Sequence, residues 1–233
     1  MKNKICFVSV DVENGLEDFD KILDTFKKNN LPATLFVTGE VLAKHGQLVK
    51  EWSEDYEIAC HSFTHRFWNT LSPEERKNEL EDFINLYQKI FQRKPLGFRA
   101  PSHIIDAAGL KLLEEKGFLY DSSILPHYPP FKKYRGYLGR KPLNIHFIGG
   151  LLETPVRGQV FGIPLAGAWI SKLPFFLYQI LFLIYQPSFI TLNMHSWDVS
   201  DNRFLGKLKK IIRLLEKKNY LFLNGEQILK NRK

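Results

Sequence analysis

The chain has 233 residues, long enough for one sizeable core and within the range of a single α/β barrel. With 44% hydrophobic and 25% charged residues it falls in the ordinary globular class, which excludes disordered and collagen-like chains. Lys and Arg exceed Asp and Glu by 33 to 25, but the excess is spread over Lys27-Lys28, Lys132-Lys133, Lys207 to Arg213 and Lys230 to Lys233. No aromatic-interleaved basic stripe accompanies it, so a solvated face is expected and a nucleic-acid partner is not.

Strand-like and helix-like segments alternate from the N-terminus onward. Lys4 to Val10 is rich in β-branched residues, and Leu16 to Asn30 carries Phe19, Ile22, Leu23 and Phe26 at helical spacing. The rhythm repeats with a strand over Ala33 to Val37, a helix near Glu40 to Trp52 and a strand over Tyr56 to Cys60. A helix from Pro73 to Phe91 follows, with Ser72 as its N-cap. Strands at Leu96 to Phe98 and Phe118 to Tyr120 flank a helix over Asp106 to Lys116. Pro126 to Gly167, rich in Pro and Gly, reads as an excursion placed to roof the site, with short strands at Asn144 to Ile148 and Leu152 to Pro155. An apolar helix over Leu173 to Tyr185, a strand over Phe189 to Met194, a basic amphipathic helix over Asn202 to Lys218 and a strand over Tyr220 to Leu223 complete the chain. This alternation predicts a parallel sheet with crossover helices in one domain spanning residues 1–233, with the chemistry where strands end.

Cys6 and Cys60 lie in apolar runs and read as buried thiols, and the N-terminus lacks a secretory signal pattern, so a cytoplasmic protein is expected. The apolar Leu173 to Tyr185 segment is too short to span a bilayer and reads as core, with peripheral contact at the inner membrane face as the competing reading.

The strand ends carry polar clusters. Asp11 and Glu13 are two apart in an extended segment and so face one way, as a base and a metal ligand would, although Asp11-Asn14-Gly15 also suits an ordinary turn. His61 and His65 are four apart, a spacing that places two imidazoles side by side on a helical turn. Arg99 could hold a carboxylate ionised through a two-pronged contact, or form a surface salt bridge. Asp121 ends the fifth strand, and His195 is a candidate proton donor that Asp121 would orient.

Asp11-Val12-Glu13, His61 to His65, Arg99-Ala100-Pro101, Asp121-Ser122-Ser123 and Leu192-Asn193-Met194-His195 occur in the order and spacing of five motifs. In this the chain resembles the polysaccharide deacetylases with a NodB-homology domain, carbohydrate esterase family four. The resemblance implies an irregular (β/α)7-type barrel of α/β class and a divalent metal, zinc with cobalt or other ions substituting. It implies that His61 and His65 bind the ion, Asp11 is the general base, Arg99 holds Asp11, and His195, tuned by Asp121, is the general acid. The backbone N–H of Ser102 would serve the oxyanion. The family commonly has two adjacent aspartates in its opening motif, whereas here Val12 separates Asp11 from Glu13; Glu13 is the expected third ligand, with Asp198 as the alternative. Trp197, Trp68 and Trp169 are the candidate faces for a sugar ring. The implied substrate is an N-acylated, expectedly N-acetylated, amino sugar of a polysaccharide, oligosaccharide or lipid-linked sugar. The competing readings are a glycan-binding barrel without activity and a metal-independent hydrolase of cyclic amides.

Overall fold

The computed structural model describes residues 4–126, 136–137, 139–157 and 163–231. Ten strands and eight α-helices are seen among them. Strand β1 (Lys4–Val12) is central: it pairs in parallel with β9 (Phe189–His195) along one edge. On the other edge it pairs with β10 (Tyr220–Leu223) at Lys4 to Phe7 and with β2 (Thr34–Val37) at Ser9 to Val12. The sheet continues from β2 through β3 (Glu57–Cys60), β4 (Gly97–Phe98), β5 (Tyr120–Asp121) and β7 (Leu151–Glu153), all parallel. Strand β6 (His146–Ile148) is antiparallel to β7, joined to it by the two-residue turn Gly149-Gly150, where Gly149 takes a positive φ. Beyond β9 lies β8 (Leu165–Ala166). The segment after β7 reaches β9 through Thr191 N–H to the Arg157 carbonyl (3.1 Å) and Thr191 Oγ1 to the Pro155 carbonyl (2.8 Å), which curls the sheet into an irregular barrel.

The period-two parity of β1 sets two cores. Cys6, Val8, Val10 and Val12 face the helices, whereas Phe7 packs inside the barrel with Phe36, Ala59, Tyr120, Leu152 and Phe189. Both faces of β1 are therefore covered, as its unbroken apolar composition requires. Cys6 and Cys60 are free, buried thiols, and burial pushes both up in pKa.

Helices α1 (Asp20–Lys28), α2 (Gly39–Trp52), α3 (Pro73–Phe91) and α4 (Ala107–Glu115) form within the expected segments, and α4 is capped by Asp106. The apolar run is α6 (Phe175–Ile184), and the basic amphipathic helix is α7 (Phe204–Lys217). Strand β8, helix α5 (Gly167–Lys172) and helix α8 (Gly225–Lys230) were not expected: each is six residues or fewer, too short to show a period. The excursion expected over Pro126 to Gly167 lies partly outside the described residues, as does the Lys132-Lys133 pair. No helix among the described residues is long and apolar enough to cross a membrane.

Register places the strand ends on one rim: Asp11 pairs with His195, Cys60 with Phe98, and Phe98 with Asp121. The start of α3 is fixed locally, because Ser72 accepts from Glu75 N–H (3.2 Å) while Glu75 accepts from Ser72 N–H (2.8 Å) with Pro73 at the first helical position. Ser72→Ala should lower stability by about 1 kcal/mol. In a thermal melt this reads as a fall of about 2–4 °C for a chain of this size.

Candidate active site at the strand-end rim

Asp11 follows Phe7 and Ser9 on the inward face of β1 and is buried. Its Oδ1 accepts from Arg99 Nη1 at 2.6 Å and its Oδ2 from Asn193 Nδ2 at 3.2 Å. The two-pronged contact expected of Arg99 is not formed. Nη1 alone reaches Asp11, and it also donates to Asn193 Oδ1 (2.7 Å). Nε and Nη2 go to the carbonyl (2.9 Å) and hydroxyl (2.8 Å) of Ser122. The guanidinium is wholly buried, with its carbon 4.1 Å from the Phe36 ring centroid. Burial opposes ionisation of Asp11, but Arg99 and the histidines around it outweigh burial and hold the carboxyl far below the usual range.

Glu13, one residue past β1, stands between two histidines: its Oε1 is 3.5 Å from His61 Nε2 and 3.1 Å from His65 Nε2. The histidines do not share a helical turn as expected. They sit on a loop in which Ser62 and His65 take left-handed φ values of 63° and 59°. The loop wraps around Glu79 of α3, whose carboxylate accepts from Ser62 Oγ, Phe63 N and Thr64 N, each at 2.8 Å, and from Thr64 Oγ1. His61 Nδ1 lies 2.8 Å from the Arg99 carbonyl, which can only accept, so Nδ1 carries a proton and Nε2 is the atom turned toward Glu13.

The donor atoms of Glu13, His61 and His65 lie within 4.8 Å of one another. His65 Nε2 is buried without a hydrogen-bond partner. Burial opposes the Glu13 charge, yet the two imidazoles bring its pKa down to about 2. Two imidazole nitrogens and an ionised carboxylate converging on one point are a donor set that fits a divalent ion of the zinc class.

His195 ends β9. Its carboxylate is Asp198, with Oδ2 3.6 Å from His195 Nδ1 and accepting from His195 N–H at 2.7 Å. Burial disfavours the imidazolium, but Asp198, Asp11 and Glu13 offset it and raise the His195 pKa. The expected orienting role of Asp121 is therefore corrected. Asp121 accepts from Ser123 N (3.0 Å) and Ser123 Oγ (2.6 Å), and Ser123 Oγ in turn accepts from Ala100 N (2.8 Å). It is thus a strut under the Arg99 to Ser102 segment. Glu153, its register partner on β7, is pushed well up by burial and by the Asp121 charge, so it carries a proton beside it. Asp198 is committed to His195 and stands outside the Glu13–His61–His65 group.

Asp11, Glu13, His61, His65 and His195 line one cavity of about 340 Å³, walled also by Ser102, His103, Leu125 and Trp197. Ser102 and His103 both take left-handed φ (53° and 59°) in the turn Pro101–His103. Trp197 stacks on His195, centroids 4.5 Å apart and planes 14° apart. Trp169 is half exposed and lines an adjoining cavity that shares His195 and His103. Trp68 is corrected: it is 1% exposed, packs against Phe98 at 4.8 Å and gives its indole N–H to Ser62 Oγ (3.0 Å), so it supports the histidine loop from within the core.

Sequence reasoning gave no role to Asn193, Glu79 or His103. Asn193 lies inside the last quoted motif, where its alternation with His195 on β9 was the available signal. His103, half-buried and with its pKa brought down to about 3 chiefly by loss of hydration and then by Arg99, follows the Arg99 motif after Ser102. Glu79 is one of many acids on α3 and had no signal.

Glu79→Ala removes four acceptor contacts from the loop that carries two of the three candidate metal donors, and affinity for an added divalent ion, measured by chelator competition, should fall about 10- to 100-fold.

The polysaccharide deacetylase family matches residues 3–120. The chain is 41% identical over 71 residues to the peptidoglycan deacetylase-like protein FGM2 of Gibberella zeae, covering 30% of this chain and 21% of that one. It is 30% identical over 122 residues to the peptidoglycan-N-acetylmuramic acid deacetylase PdaA of Bacillus subtilis, covering 50% and 45%. In both comparisons the chain spans less than half of the relative's length. A CE4 family pseudoenzyme from Bacillus anthracis, BA3943, superposes with a TM-score of 0.68 at 16% identity over 97% of this chain and 66% of that one, a likeness of fold. With the family matched over half its length and its motifs gathered on one barrel rim, the chain belongs to the polysaccharide deacetylase family.

Proposed function

We propose that the protein hydrolyses the N-acyl group, an acetyl group, of an amino sugar, with a divalent metal held by Glu13, His61 and His65. The observation that carries this reading is one cavity holding an ionised acid, a charge-stabilised histidine and a converging set of metal donors. A divalent ion in that triad supplies Lewis acidity toward water and toward the amide carbonyl.

Asp11, ionised at any working pH, takes the proton of the attacking water. Arg99 and Asn193 fix the direction of its carboxylate, and Arg99 lowers its basicity. The Ser102 N–H faces the oxyanion from a turn that the Asp121–Ser123–Ala100 bonds hold. His195, whose pKa Asp198 raises against burial, gives its proton to the departing sugar nitrogen, and Trp197 and Trp169 offer flat faces to the glycan. The substrate is an amino-sugar glycan, either a polymer or a lipid-linked sugar.

A barrel that only binds glycans has no use for a buried Asp11–Arg99 pair beside a charged histidine. A metal-independent amidase has no use for two imidazoles converging with Glu13 on one point. Zinc content and acetate release from acetylated amino-sugar oligomers test the proposal together. His65→Ala should lower both, activity by more than about a hundredfold, the upper end of what supporting residues contribute. A metal-free protein with full activity would sink the mechanism, and a metal-loaded inactive one would favour binding.

The proton donor must be charged, so activity is lost as pH rises through the His195 pKa, which Asp198 raises. Asp198→Asn keeps an acceptor for His195 N–H but removes the charge, so the alkaline limb of the kcat/KM profile should move to lower pH. An unmoved limb would exclude His195 as the donor.

A further inference from the structure

Helix α6 leaves an apolar row in solvent. Phe176, Ile180, Leu183 and Ile184 recur at helical spacing and are 55%, 46%, 72% and 64% exposed, while Tyr178, Leu181 and Phe182 on the other side are buried. Large apolar side chains this exposed on successive turns of one helix mark a contact surface.

Helix α7 runs alongside. Lys207 Nζ donates to the carbonyls of Ser171 (2.7 Å) and Leu173 (2.9 Å), which pins the α5–α6 turn to α7. Lys210, Arg213 and Lys217 then line a groove of about 170 Å³ with Phe175 and Gln179 of α6. Among the described residues none of these three cations has an acidic partner, and Lys210 lies 5.9 Å from the Phe175 ring. The row is thus apolar with a cationic border. At its start, Trp169 is 48% exposed beside the cavity that shares His195 with the catalytic one.

We propose that α6 and the bordering cations of α7 form a docking face for an anionic phospholipid surface. The apolar row enters the acyl boundary in the plane of the membrane, and Lys210, Arg213 and Lys217 meet lipid phosphates. Tyr185 and Trp169, both about half exposed, suit the headgroup layer. Charge selects this occupant over a second copy of the chain: a two-fold contact through the same face would set six cations against one another. The inference stands on this face alone and is independent of the chemistry at the rim.

The test is co-sedimentation of the full chain with vesicles of phosphatidylcholine and phosphatidylglycerol in equal parts, against vesicles of phosphatidylcholine alone. Binding to the anionic vesicles, weakened by added salt, is expected. The variant Lys210→Gln/Arg213→Gln/Lys217→Gln should lower partitioning on the order of a hundredfold. Leu183→Ser/Ile184→Ser should lower it as well, with the circular dichroism melt of both variants retained. All changed side chains are solvent-facing, so folding is not at stake. No binding by the unaltered protein, or unchanged binding by both variants, overturns the proposal. So does a dimer in light scattering that the Leu183/Ile184 variant abolishes while vesicle binding is absent.

Discussion

The buried contact between Arg99 and Asp11 is the constraint on which the rim depends. A guanidinium out of water is tolerable only when its donors are met, and here they are met by β1, β9 and the segment after β5, with β2 supplying the ring of Phe36 beneath. Removing one member of such a pair leaves a buried charge uncompensated, at about 3–5 kcal/mol. The same residue also reaches the Glu13–His61–His65 group, since its carbonyl holds the His61 Nδ1 proton. Arg99 therefore ties the Asp11 carboxylate, the orientation of the His61 ring and the closure of the barrel into one arrangement.

Around it, environment divides four carboxylates into two kinds. Asp11 and Glu13 face cationic or imidazole partners and are driven down in pKa. Asp121 and Glu153 lie next to each other in the wall and are driven up by burial. The first pair is charged and available to chemistry, and the second keeps a proton and serves as framework. A carboxylate at a strand end can thus belong to either kind, and only its neighbours decide which. Asp121 was assigned to the wrong kind of work for this reason: strand-end position suggested contact with His195, whereas its oxygens are taken by Ser123 two residues on.

Much of the fold was legible because it obeys local rules. Period two put Asp11 and Glu13 on one face at the end of β1, helical spacing announced α1, and Ser72 before Pro73 announced the start of α3. The Glu13–His61–His65 group was legible from residue type and order once the family resemblance was read. What escaped notice depends on tertiary placement. Asp198 is brought against His195 because Gly167 leaves room: a Cβ there would stand 1.5 Å from Asp198 Oδ2. Trp68 looked accessible because it follows the histidine motif, but its burial comes from packing against Phe98 on β4.

The rim loops also store backbone strain that their composition does not announce. Of the eight non-glycine residues with positive φ among the described residues, four are Ser62, His65, Ser102 and His103. Each such conformation costs on the order of 1–3 kcal/mol and persists only where its surroundings over-determine it. Here they do: the Glu79 carboxylate takes the donors of Ser62 to Thr64, and Ser123 holds Ala100. A glycine would relieve the strain at Ser62 or Ser102 and also free the turn. His65 has no such alternative, because the residue that must bend the chain there is also the one that must offer Nε2 to Glu13. The left-handed turn at a donor residue is thus the backbone's contribution to the site. It brings two imidazoles into the barrel mouth from a loop, where their sequence spacing alone suggested a helical turn.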